Sequence, residues 1–143
     1  HANGSIGKGF VKGFGIRCGA LAQTVAHDAH NLFVVGTNDS DMVLAANTLI
    51  GCGGGLVAVK DGKILGLVPL PVAGLISDKP LEETDEKVAE LENAWTELGC
   101  TLPSPFMTMA IISLACLPEV RLTDRGLVDC RTFSFLNLIE KQQ

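Results

Sequence analysis

Apolar and polar positions along this chain fall into blocks of distinct period. Ala20–Ala26 and Leu32–Thr37 are short apolar runs, the second rich in β-branched and aromatic residues, and they read as two buried strands. The stretch Thr37-Asn38-Asp39-Ser40-Asp41 offers several helix N-caps. After it, Met42, Leu44, Ala45, Ala46, Leu49 and Ile50 recur at helical spacing until Gly51, Gly53, Gly54 and Gly55 stop them. Leu56–Lys60 and Lys63–Val68 flank Asp61-Gly62, a pair that prefers a type I′ turn, and so predict a hairpin. Pro69 and Pro71 close it, and Val72–Ser77 is an apolar connection.

A second helix is expected near Pro80–Leu98, where Val88, Leu91, Trp95 and Leu98 form one apolar stripe. Glu82, Glu83, Glu86, Glu90 and Glu97 occupy its opposite, solvated face, and Gly99 supplies a left-handed stop. Beyond Pro103 and Pro105, Phe106–Leu117 is either a short buried helix or a strand, with Met107 and Met109 as core filler. Leu122–Asp129 reads as a turn-rich loop and Arg131–Ile139 as a closing strand. Together these elements predict an α+β fold, a mixed or antiparallel sheet packed against two or three helices, in one domain spanning residues 1–143.

Composition sharpens this. A chain of 143 residues buries ~68% of the surface its unfolded form exposes, enough for its own core. Hydrophobic residues are 47% of the chain and aromatic residues 5%, with no Tyr and a mean hydropathy of +0.33, so the core is aliphatic and some apolar surface is reserved for a neighbour. Eleven basic against sixteen acidic side chains, scattered and summing to −5, leave no basic footprint for nucleic acid or anionic lipid. The longest apolar run, Met107–Leu117, is shorter than the roughly 18 residues of a membrane helix. Five dispersed cysteines without a CxxC pair argue against a zinc site or disulfide framework, and reduced, mostly buried thiols in a cytoplasm are expected. A chain opening on His1 rather than Met is expected to be part of something longer.

Glycines 7, 9, 13, 15 and 19 resemble a phosphate loop only superficially. No Gly-Lys-Ser/Thr closes the segment, no strand precedes it and no helix follows it, so close backbone approach is the expected role.

Chemistry concentrates in Thr24-Val25-Ala26-His27-Asp28-Ala29-His30-Asn31, a polar connection between the first two strands. His27, Asp28, His30 and Asn31 offer donors and acceptors, yet a metal needs further ligands that only distant Asp39, Asp41 or His1 could provide. No Gly-x-Ser-x-Gly elbow occurs, and neither does the His-x-Glu with Pro-Cys-x-x-Cys of the zinc base deaminases. A structural role, with the histidines bonded to neighbouring backbone and carboxylates, competes on even terms.

Three blocks, Val25-Ala26-His27-Asp28-x-His30-Asn31, Leu70-Pro71-Val72-Ala73-Gly74-Leu75 with Ser77, and Leu122-Thr123-Asp124-x-Gly126-Leu127-Val128-Asp129, resemble the C-terminal domain of bacterial adenine deaminase, of the amidohydrolase superfamily. The resemblance implies a parent enzyme that converts adenine to hypoxanthine and ammonia in purine salvage. It also implies a two-metal barrel, usually with manganese, in which hydroxide attacks C6 of adenine. That barrel typically needs ~250 residues and a His-x-His pair; this chain has neither, so it carries no cofactor of its own and is expected to be inactive alone. Its expected partner is its own N-terminal barrel, and a homo-oligomer is left open. On this reading His27, Asp28, His30 and Asn31 project toward the barrel mouth and adenine. The alternative is a non-catalytic interdomain or oligomerisation module with a structural polar loop.

Overall fold

A computed structural model of the chain describes residues 4–26 and 29–139. Its centre is a four-stranded antiparallel sheet of β1 (Ala20–Gln23), β2 (Phe33–Gly36), β3 (Gly55–Lys60) and β4 (Lys63–Pro69), in the order β2-β1-β3-β4. Helix α1 (Asp39–Cys52) covers one face. Helices α2 (Leu81–Glu97) and α3 (Pro105–Ile112) cover the other. A smaller antiparallel sheet follows, β5 (Val120–Thr123), β6 (Gly126–Asp129) and β7 (Ser134–Leu136), in the order β5-β6-β7. The expected α+β fold is thus present, with both sheets wholly antiparallel.

The period of two in β1 serves two cores. Ala20 and Ala22 meet Ala45 and Leu49 of α1 together with Val57 and Val59, while Leu21 meets Leu91, Ala94, Leu98 and Met109 on the opposite side. Each fully buried leucine contributes about 1.5–3 kcal/mol. Trp95 of α2 meets Phe106 of α3 edge to face, with centroids 5.8 Å apart.

Local signals place the termini. Asn38 caps α1 by accepting from the Asp41 N–H at 2.8 Å. Both α1 and α2 end in paired carbonyl captures: Gly53 and Gly54 N–H donate to Ile50 and Leu49, and Gly99 and Cys100 N–H donate to Thr96 and Trp95. The Asp61-Gly62 turn has φ of 50° and 73° at its two central residues, as type I′ requires. The Asp41 carboxylate accepts from the Asp61 and Gly62 N–H groups at 3.1 and 2.8 Å, joining the start of α1 to this turn.

Four expectations need correction. Leu122–Asp129 is not a loop but most of the β5–β6 hairpin; Thr123 Oγ1 donates to the Gly126 carbonyl and accepts from the Arg125 N–H, a tight turn without an Asn-Gly or Asp-Gly signature. The closing strand shrinks to Ser134–Leu136, because Asp129 accepts from the Arg131 and Thr132 N–H groups and turns the chain there. The first strand ends at Gln23 rather than Ala26, because Thr24 leaves the β1–β2 ladder. Of the cysteines only Cys100 and Cys130 are buried; Cys18 and Cys52 are partly exposed and Cys116 is exposed, all as free thiols. The open choice at Phe106–Leu117 resolves as helix α3, begun by Pro105 at its first position.

The N-terminal glycines do allow close approach. A side chain on Gly7 would collide with the Thr123 carbonyl, and Gly9 lies against Leu122 and Leu127, so this strap packs onto the small sheet. Its far end is held by Thr101 N–H donating to the Phe14 carbonyl at 3.2 Å and Arg17 N–H donating to Leu98 at 2.9 Å. Among the described residues no helix is long and apolar enough to cross a membrane.

Candidate functional site

The polar segment leaves the sheet at Thr24, and this residue fixes its root. The Thr24 N–H donates to the Gly55 carbonyl at 3.0 Å, and its hydroxyl accepts from the Gly55 N–H at 2.8 Å while donating to the Gly74 carbonyl at 2.7 Å. Opposite it, Gly54 has φ of 119°, and a Cβ there would stand 2.5 Å from Gly74 Cα and 2.8 Å from Thr24 Oγ1. Only glycine permits this approach. Leu70 N–H donates to the Gly54 carbonyl at 2.9 Å, and a Val72–Ile76 bridge closes the 70–77 segment on itself.

Two of the three sequence blocks are therefore brought together, the polar segment and Leu70–Ser77. The third lies in the β5–β6 hairpin, packed on the N-terminal strap.

Ala26 is buried and accepts from the His30 N–H at 3.0 Å. His30 has φ of 49°, a left-handed conformation, and both His30 and Asn31 are exposed. Neither side chain has a hydrogen-bond partner among the described residues. His27 and Asp28 lie outside the described residues. Next to the root, Gln23, Val25, Leu56, Ser104 and Phe106 help to line a cleft of about 210 Å³. Gln23 is buried there and its Nε2 donates to the Phe106 carbonyl at 2.8 Å, tying β1 to the start of α3.

Sequence reasoning missed Thr24, Gly74 and Gln23. A signal for the first two existed, a Thr at a strand end together with the glycine run 53–55 and Gly74, but the pairing joins positions 50 residues apart. Gln23 gave no signal beyond being a polar residue within an apolar run.

Among the described residues no three His, Cys, Asp or Glu side chains are placed to share a metal ion. The described donors do not fit a two-metal centre, and no metal-dependent step is assigned to them.

The model of the adenine deaminase C-terminal domain matches residues 1–134. The chain belongs to that family. Among its relatives, an adenine deaminase of Clostridium botulinum is 68% identical over 142 residues, covering 99% of this chain and 24% of the relative. An adenine deaminase of Moorella thermoacetica is 64% identical over 137 residues, covering 96% and 23%. One from Methanococcoides burtonii is 46% identical over 139 residues, covering 97% and 24%. The chain thus spans about a quarter of the length of these curated relatives. Seen as an adenine deaminase C-terminal domain, it carries its sequence blocks on an antiparallel scaffold whose polar segment and 70–77 segment share one anchor.

Proposed function

We propose that these 143 residues form one domain, the C-terminal part of an enzyme that hydrolyses adenine to hypoxanthine and ammonia in cytoplasmic purine salvage. On this reading the reaction belongs to the larger part of the enzyme, an amidohydrolase barrel with two divalent metals, manganese by family resemblance. The isolated domain is inactive. The family match over residues 1–134, with relatives named adenine deaminase of which this chain covers a quarter, supports the assignment.

The role of the polar segment rests on one observation: His30 and Asn31 are exposed and spend no side-chain hydrogen bond within the described residues. Exposed and unpaired among the described residues, both side chains are open to a neighbouring surface. His27, Asp28, His30 and Asn31 are proposed to present donors and acceptors to the barrel mouth. There they orient the purine edge or exclude water, while Thr24 holds their root. The competing reading, an interdomain or oligomerisation module, draws on Thr24, whose hydroxyl is wholly committed to main-chain partners.

A chimera in which this chain replaces the matching C-terminal quarter of the Clostridium botulinum relative tests both readings through ammonia release from adenine. Activity in the chimera and none in the isolated chain supports the assignment. Unchanged turnover after His27→Ala and Asn31→Ala would favour the structural module.

A further inference from the structure

We infer that the outer edge of β2 is a docking site for an extended segment from the rest of the parent enzyme, which joins the central sheet as a fifth strand. The inference rests on the reading of this chain as one domain of a longer enzyme, and it names the surface where the two parts meet.

The observation is an unpaired edge. Thr37 N–H donates to the Gly19 carbonyl, and β1 and β2 pair in the register Ala20↔Gly36 to Gln23↔Phe33. Alternation then turns the main-chain groups of Phe33 and Val35 toward β1, and those of Val34 and Gly36 outward. The outward groups have no hydrogen-bond partner among the described residues.

Edge strands ordinarily carry a guard such as lysine, proline or a bulge. The opposite edge, β4, begins at Lys63, ends at Pro69 and is bulged against β3. β2 reads Phe33-Val34-Val35-Gly36 and carries none of these; its protection is its four-residue length and the N-terminal strap across the groove.

A groove of about 490 Å³ runs along this edge, walled by the N-terminal strap and the small sheet. Phe14, Ile16, Ile112, Leu122 and Leu127 make its lining apolar. Arg121 adds a directional group: Nη1 donates to the Val120 carbonyl, Nη2 to the Pro118 carbonyl, and the buried Nε has no partner. A strand at the usual spacing of about 4.8 Å from β2 would supply carbonyls to the open N–H groups and apolar side chains to the walls.

Chain length argues for the occupant. The relatives supply such a segment in cis, since about three quarters of their length lies outside the matched region.

Amide hydrogen exchange compares the 143-residue chain with the chimera described above, and Val35, bonded to β1, is the internal control. Val34 and Gly36 are expected to exchange fast in the isolated chain and to slow by at least ~10-fold in the chimera. Equal rates in the two proteins overturn the inference. Protection that appears in the isolated chain only as its concentration rises also overturns it, in favour of self-pairing. Adenine deamination is read separately: an active chimera with an unprotected edge rejects this surface and keeps the proposed function. A protected edge without deamination keeps the docking and rejects the function.

Discussion

The hydroxyl of Thr24 lies 2.7 Å from the carbonyl oxygen of Gly74 and donates to it, fastening the polar segment to a turn 50 residues further along the chain. Thr24 Oγ1 also accepts from the Gly55 N–H, so one side chain satisfies two main-chain groups from different elements. Thr24→Val keeps the shape and removes both bonds. It is expected to cost about 1–3 kcal/mol in urea denaturation, with Thr24→Ser recovering most of the loss.

In the proposed full-length enzyme, His30→Asn and Asn31→Ala are expected to lower adenine turnover by ~10-fold or more while leaving thermal stability almost unchanged. Asn is the chosen replacement because it tolerates the left-handed conformation of His30. Steady-state kinetics alongside a melting curve separates the loss of a presented group from a loss of fold.

Acid should loosen the fold through Asp41. The Asn38 side chain, then the Gly62 and Asp61 N–H groups, hold its carboxyl below the usual 3.8 against an opposing effect of burial. Asp129 is held low too, first by the Arg131 N–H. A depressed folded value means the stabilisation is complete above 3.8 and drains away as pH falls through the folded value. Asp41→Asn is expected to lower stability at pH 7 and to flatten part of the decline below pH 3.8, as followed by denaturant midpoints across pH.

Leu49 is fully buried between α1 and the sheet, and Leu49→Ala is expected to cost about 2–5 kcal/mol. The solvated face of α2 offers the contrast: Glu86→Ala is expected to change stability by less than ~0.5 kcal/mol.

The parts of the fold legible in the sequence are those with a local cause. Asp61-Gly62 encodes its own turn, Asn38 and the glycines after Cys52 bound α1, and the stripe Leu91, Trp95 and Leu98 marks the inner side of α2. The β5–β6 hairpin was hidden because four-residue strands of mixed polarity show no clear period, and its turn is made by the Thr123 side chain. The 27–31 cluster stood out by residue type. Its anchor did not, because Thr24 lies 31 and 50 residues from Gly55 and Gly74, and Gly54 announces a close approach without naming the neighbour.

Because Thr24 bonds only to main-chain atoms and Gln23 pairs with Phe33 across the β1–β2 ladder, the stretch between them enters and leaves the scaffold at fixed points that its own residues do not determine. Doubling the length of a flexible connection between such points costs only about 0.6 kcal/mol in closure entropy. Val25, Ala26 and Leu32 pack into the cores and must stay, so on the proposed reading only the positions between Ala26 and Leu32 form a cassette whose residues and length can be exchanged without redesigning the scaffold beneath.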